Sequence, residues 1–173
     1  MAANANLYSY FQKRFPRELR RHLLITADGR EVDYEEADQT SARYASCLLQ
    51  MGAIPGDRVT VQVEKSVENL FLYLGCLRAG LIYHPLNTAY TASELEYFLA
   101  DADPAIVICG DTTKDIIRSA TSRDAVVPIL TLNPDGSGTL VEKAISSSEL
   151  SNIYFCEGSD IAALIYSSGT TGR

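Results

Sequence analysis

Four hydroxyl side chains and two glycines fall within six consecutive residues, Ser167-Ser168-Gly169-Thr170-Thr171-Gly172, directly after the apolar run Ile161-Ala162-Ala163-Leu164-Ile165-Tyr166. A buried strand feeding such a loop suits an anion, for example the phosphate tail of a nucleoside triphosphate. Glycines let the backbone approach closely, unpaired N–H groups form a concave nest, and hydroxyls donate to phosphate oxygens. Ser167, Ser168, Gly169, Thr170, Thr171 and Gly172 are therefore the candidate phosphate-binding residues, with Thr170 and Thr171 foremost. The G-x-x-x-x-G-K-[ST] phosphate loop does not fit, because Gly169 and Gly172 are only three apart and no lysine follows Gly172. A flexible Ser/Thr/Gly-rich tail has a similar composition, and the apolar strand immediately upstream weighs against it.

The elements that must carry this loop alternate between strand and helix, which implies a mainly parallel, doubly wound α/β sheet with helices on both faces. A small hairpin precedes it: Leu23 to Thr26, a turn at Asp28-Gly29-Arg30, then Glu31 to Tyr34. A helix is expected from Asn6 to Arg14 with Leu7, Tyr10 and Phe11 facing inward. Asp33 with Glu36 makes a capping box for a helix whose Ser41, Tyr44, Ala45 and Leu48 share a face before Gly52 stops it.

From Arg58 to Val63 the chain predicts a strand, and Ser66 caps a helix carrying Val67, Leu70, Phe71, Leu74 and Leu77, closed by Gly80. Strand Leu81 to Pro85 follows. Thr91 and Glu94 then box a helix with Leu95, Phe98, Leu99 and Ala102 in one stripe, ended by Pro104. Ala105 to Cys109 predicts a buried strand, Asp111 or Thr112 a helix start ahead of Ile116, Ile117 and Ala120, and Val126 to Leu132 a further strand. Residues Asn133 to Gly138 form a loop, Leu140 to Ile145 a weak helix, and the stretch from Ser146 to Ser159 an exposed connection. Tyr44, Tyr73 and Tyr97 fall within predicted helices, where packing is the expected use.

Composition limits the function classes. A chain of 173 residues can bury about 70% of its unfolded surface in a proper core. No apolar run reaches the roughly 18 residues of a spanning helix, and no basic start or apolar core of a secretion signal opens the chain, so no membrane and a cytoplasmic address are expected. A net charge of −7 argues against nucleic acid. Cys47, Cys76, Cys109 and Cys156 are irregularly spaced with no metal-binding pattern, and are expected to be packed, reduced thiols. His22 and His84 lack an identifiable acid partner and are expected to be structural.

The hexapeptide at 167–172 resembles the opening of the phosphate-binding motif in the adenylate-forming superfamily: acyl-CoA synthetases, adenylation domains of peptide synthetases, and luciferases. In that family a lysine and a further glycine follow; Arg173 falls at a variable position of the motif and does not replace the lysine. Gly56-Asp57-Arg58-Val59, then Leu77-Arg78-Ala79-Gly80, then Tyr83-His84-Pro85-Leu86-Asn87 occur in the order seen in the opening half of the family's large N-terminal domain. The runs Glu64-Lys65-Ser66-Val67-Glu68, Pro85-Leu86-Asn87-Thr88-Ala89-Tyr90-Thr91 and Glu94-Leu95-Glu96-Tyr97-Phe98 are most similar to malonyl-CoA synthetases. Similarity covers nearly the whole chain and thins between about Thr112 and Glu157.

This resemblance implies a two-step ligase. A carboxylate, malonate foremost, attacks the α-phosphate of ATP to give an acyl-adenylate and pyrophosphate; the thiol of coenzyme A then displaces AMP. ATP, Mg2+ and coenzyme A as cosubstrate are the implied small molecules. Residues 1–173 are then a single α/β piece, an incomplete N-terminal domain truncated inside the phosphate-binding motif. It is expected to contain no catalytic or metal-binding residue, to be inactive alone, and to self-associate through apolar surface left uncovered. A synthetase for another small or medium-chain acid, and a non-catalytic phosphate-binding or docking module, stay open as alternatives.

Overall fold

In the computed structural model, which describes residues 3–121 and 126–166, the Asn6 side chain accepts from the Tyr8 N–H and caps α1, Leu7–Gln12. The inward residues of α1 are Tyr8 and Ser9, whereas Leu7, Tyr10 and Phe11, expected to face inward, are 40–41% exposed. A polar contact decides the face. The Tyr8 hydroxyl donates to Asp38 at 2.5 Å and receives a hydrogen bond from the buried Arg78 guanidinium at 3.2 Å.

The hairpin forms from β1, His22–Ile25, and β2, Glu31–Asp33, paired antiparallel with an irregularity between His22 and Leu24. It leads into α2, Tyr34–Gln50, whose first turn is capped by Asp33 accepting from the Glu36 N–H at 2.7 Å. The Glu36 carboxylate pairs with Arg30 at 2.8 Å.

Among the described residues the main sheet has four strands, β3 (Arg58–Gln62), β4 (Ile82–Pro85), β5 (Ile106–Cys109) and β6 (Ile129–Thr131), all parallel and ordered β4-β3-β5-β6. Between them run α3 (Val67–Ala79), α4 (Ala92–Ala102) and α5 (Lys114–Ala120, entered through a 3-10 turn at Asp111–Thr113); α6 (Thr139–Ile145) follows β6. Local signals set these bounds. Ser66 caps α3, Gly80 ends it in a left-handed conformation, and Thr91 with Glu94 closes a full capping box on α4. The last strand is shorter than the expected 126–132, because Val126 is fully exposed and Pro128, which has no N–H to give the ladder, stands before Ile129.

Side-chain alternation along the strands divides the core in two. Val59, Val61, Ile106, Ile108 and Leu130 pack with Leu48, Phe71, Leu72 and Leu140 on the α2/α3/α6 side. Val107 and Cys109 pack with Leu95, Leu99 and Ile117 on the α4/α5 side. The sheet is therefore doubly wound, with α3 on one face and α4 and α5 on the other, as right-handed crossovers require. At Gly75 the α2 and α3 backbones nearly touch: a Cβ there would lie 3.0 Å from the Ser41 carbonyl oxygen and 3.0 Å from Tyr44 Cβ.

Arg78 joins three helices. Its guanidinium meets Asp38 at 3.0 Å and lies over the Tyr8 ring at 5.0 Å, tying α3 to α2 and α1. Farther along, the amino-terminal segment closes onto the 154–156 stretch: the Asn6 amide donates to the carbonyls of Leu77 (2.7 Å) and Tyr154 (3.0 Å), the Ala5 N–H to that of Cys156 (3.0 Å), and the Cys156 N–H to Asn4 Oδ1 (3.0 Å). Tyr44 is buried, but Tyr97 stands 62% exposed on the outer side of α4. Cys47, Cys76 and Cys109 are buried and Cys156 is partly so, all as free thiols. Among the described residues no helix is long and apolar enough to cross a membrane.

Candidate functional site

The candidate phosphate residues Ser167, Ser168, Gly169, Thr170, Thr171 and Gly172 lie outside the described residues. The segment that leads to them is described. Residues 161–166 lie along the free edge of β4, joined by a parallel bridge between Tyr83 and Ala163: the Tyr83 N–H donates to the Ala162 carbonyl (3.1 Å) and the Leu164 N–H to the Tyr83 carbonyl (3.0 Å). This is a single bridge and not the buried strand expected. Ile161 and Ile165 are 61% and 73% exposed, since within the described residues only β4 borders this segment in the sheet.

The segment runs parallel to β4, so residue 166 arrives at the carboxyl end of the sheet. In open parallel sheets ligands collect beyond that end. Three polar side chains occupy the α4-facing surface there. Thr60 and Gln62 alternate with the core valines Val59 and Val61 on β3, and Thr60 pairs with His84 on β4. All three are essentially fully buried. Thr60 Oγ1 and His84 Nδ1 share a hydrogen bond of 2.8 Å, and the Gln62 amide donates to the Asn87 carbonyl at 3.1 Å. His84 Nε2 and Gln62 Oε1 have no hydrogen-bond partner among the described residues.

Above this surface sits Tyr166. Its ring lies 5.3 Å from the His84 imidazole and 4.6 Å from the Phe98 ring, and its hydroxyl donates to Asp101 of α4. Burial, and then the Asp101 hydrogen bond, push the Tyr166 phenol up to about 12, so it is a neutral donor at physiological pH.

Burial also pushes His84 down to about 4, with Asp101 pulling in the opposite sense. The imidazole is thus neutral at pH 7. Between its unfolded pKa of about 6.5 and about 4, the unfolded chain binds a proton that the folded chain refuses. The stability held above pH 6.5 is therefore lost progressively as pH falls, by up to about 3 kcal/mol. Urea unfolding at pH 7.5 and 4.5 should show this loss in the native chain and a flatter dependence in His84→Gln. Equal slopes in the two proteins would exclude His84 as its source.

The sequence singled out His84 as structural, and the structure brings its ring beside the residue that precedes Ser167. Thr60, Gln62, Phe98 and Asp101 were not singled out as site residues. A signal was available for two of them: polar Thr60 and Gln62 alternate with Val59, Val61 and Val63, which marks one sheet face as different from the other. A cavity of about 320 Å³ lies at the opposite end of the sheet, lined among others by Asn6, Gly56, Leu81, Tyr154 and Asp160. Among the described residues its lining includes no Lys, Arg or His, which makes that lining unsuited to a polyphosphate.

A family profile described as AMP-binding enzyme matches residues 11–173. Among solved structures, ATP-bound MatB from Rhodopseudomonas palustris superposes with a TM-score of 0.92 at 41% identity, covering 99% of this chain and 34% of that one. Among characterised relatives, the long-chain-fatty-acid–CoA ligase FadD13 of Mycobacterium tuberculosis is 30% identical over 82% of this chain and 28% of its own length. Tyrocidine synthase 1 of Brevibacillus parabrevis is 28% identical over 86% of this chain and 13% of its own length. The chain thus spans about a third, or less, of the length of the proteins it matches.

Proposed function

Because the chain belongs to the AMP-binding enzyme family, we propose that it forms the opening part of the large domain of an ATP-dependent carboxylate–CoA ligase, with malonate as the preferred acid. The observation that supports this most is the run from β4 through Tyr166 to Ser167. A hydroxyl- and glycine-rich hexapeptide follows directly on a segment that ends at the carboxyl edge of a doubly wound sheet. The malonate reading draws on the runs at 64–68, 85–91 and 94–98, and the likeness to MatB supports it.

In this reading the backbone N–H groups of 167–172 and the hydroxyls of Ser167, Ser168, Thr170 and Thr171 hold the β- and γ-phosphates while the carboxylate attacks the α-phosphate. Charge leaving with pyrophosphate is met by donors fixed in advance, which lowers the barrier to the acyl-adenylate. Mg2+ neutralises the polyphosphate in chemistry of this kind. Among the described residues no group of three or more His, Cys, Asp or Glu converges. Coenzyme A, the carboxylate and the rest of the catalytic apparatus would be met by parts of a longer protein. The 173 residues alone should show no turnover.

The test is ATP–pyrophosphate exchange by the longer protein with malonate, acetate and a long-chain fatty acid. Malonate should be preferred, and Thr170→Ala with Thr171→Ala should lower kcat/KM for ATP about 100-fold, the order expected for removing preorganised donors. Preference for another acid would move the substrate assignment and leave the ligase reading. Absence of exchange with every acid would leave a phosphate-binding or docking module.

A further inference from the structure

Positive charge is gathered at one end of an otherwise acidic chain. Residues 1–21 hold five of the 15 Lys and Arg and only one, Glu18, of the 22 Asp and Glu. All five cations, Lys13, Arg14, Arg17, Arg20 and Arg21, are exposed. Arg20 pairs with Glu35 at 3.3 Å, whereas the other four form no ion pair among the described residues. Directly before them, Leu7, Tyr10 and Phe11 stand 40–41% exposed on one face of α1, and Arg14 is the next position along that stripe.

Apolar side chains and cations share this surface. Arg14 donates to the Tyr10 carbonyl at 2.9 Å, and the Lys13 ammonium and Arg14 guanidinium lie 5.8 and 6.0 Å from the centre of the Tyr10 ring. The stripe could turn inward only by breaking the contacts that hold its back: Tyr8 and Gln12 donate to Asp38, and the Phe15 ring lies edge-on to Tyr8 and Tyr34. A fixed, outward apolar stripe bordered by unpaired cations suits the boundary between lipid headgroups and acyl chains. Apolar side chains enter that boundary, Lys and Arg meet anionic headgroups above it, and Tyr is itself favoured at that depth. Nucleic acid would engage the cations and leave Leu7 without a role.

We propose that α1 and residues 13–21 form a docking surface for an anionic lipid membrane. Leu7, Tyr10 and Phe11 enter the headgroup layer, and Lys13, Arg14, Arg17 and Arg21 bind the headgroups. Such contact is peripheral and needs no spanning helix, so the lack of one among the described residues does not bear on it. The acidic remainder of the chain is repelled by the same surface, which brings this end to it first. The proposal stands independently of the reading of 167–172.

The test is co-sedimentation of the longer protein with vesicles of phosphatidylcholine alone and of phosphatidylcholine with about one-third phosphatidylserine, at about 0.1 and 0.5 M salt. Binding is expected to the anionic vesicles only, and should be largely lost at the higher salt. Arg14→Gln with Arg17→Gln should weaken it about 25-fold, at about fivefold per cation. Tyr10→Ala with Phe11→Ala should weaken it about tenfold and leave its salt dependence in place. Amide exchange at 7–14 should slow on the vesicles, and thermal unfolding of both variants should match wild type because the substituted side chains are exposed. A wild-type protein that binds neither vesicle overturns the proposal, as does binding that neither pair of substitutions weakens. Tighter binding to a DNA oligonucleotide than to the vesicles would assign the surface to nucleic acid, and a dimer abolished by Tyr10→Ala with Phe11→Ala would assign it to a second copy; either result overturns the membrane assignment. The ligase reading is tested separately by pyrophosphate exchange, so the two fail independently.

Discussion

Replacing Gly138 with alanine is expected to cost about 3 kcal/mol or more of folding stability, close to what such a domain can lose and remain folded. The backbone at Gly138 has φ 128° and ψ 162°, a region essentially confined to glycine. A Cβ there would lie 2.3 Å from the Thr131 carbonyl oxygen and 2.7 Å from its carbon. Neither side can yield cheaply. Thr131 is in β6, its N–H donates to the Thr139 hydroxyl at 2.9 Å, and the Thr139 N–H donates back to the Thr131 hydroxyl at 3.1 Å. This reciprocal pair fixes the start of α6 on the end of β6, and Gly138 is the residue over which the two close. Gly136→Ala is the control: its φ of +80° is also unfavourable, but its Cβ would meet only the carboxylate end of Glu68 at 3.2 Å. It should cost about 1 kcal/mol. Urea unfolding would compare the two, and equal losses would show that the closure at Thr131 is not what holds α6.

Asp38→Ala should cost about 3–5 kcal/mol, because it leaves the Arg78 guanidinium, with 7% of its side chain exposed, buried without a countercharge. Arg78→Met should cost less. Methionine keeps most of the stem's apolar volume, and the Asp38 carboxylate left behind is 27% exposed and can be hydrated. Tyr8 does not rescue either variant, since burial and then the Asp38 hydrogen bond hold its phenol well above the ordinary range and keep it a neutral donor. The double variant should recover much of the loss in Asp38→Ala, a coupling that additive contributions would not give. Thermal unfolding of the four proteins measures it. Asp38→Ala milder than Arg78→Met would mean that the guanidinium is not paying a desolvation penalty.

Both sites show where sequence reading stops. Helix bounds were legible because their causes are local: Asp33, Ser66 and Thr91 each satisfy an amide three residues on, and Gly80 supplies the left-handed residue that ends α3. The parallel sheet with helices on both faces and the hairpin followed from alternation and spacing, whereas the order of the strands did not. The face of α1 was misjudged because its apolar residues Leu7, Tyr10 and Phe11 outnumber the inward ones, while the decisive contact joins Tyr8 to Asp38 and Arg78, far apart in sequence. Tyr97 was misjudged for the same reason: membership of a helix does not state which stripe faces the sheet. The surroundings of His84 depend on the β3–β4 register and on the return of residue 166 to α4, which no short window contains. The hydroxyl- and glycine-rich loop, by contrast, is a feature of composition and needs no partner to be noticed.

The closure of the amino-terminal segment onto residues 154–156 has a temporal consequence. Asn4, Ala5 and Asn6 are made about 150 positions before their hydrogen-bond partners Tyr154 and Cys156. At a synthesis rate of about 5–20 residues per second, this segment waits roughly 8–30 seconds before its partners in the 154–156 stretch exist. The hairpin and the β3-α3-β4 unit can assemble on the nascent chain in that interval. The clasp cannot, and it is one of the last contacts of this region to form.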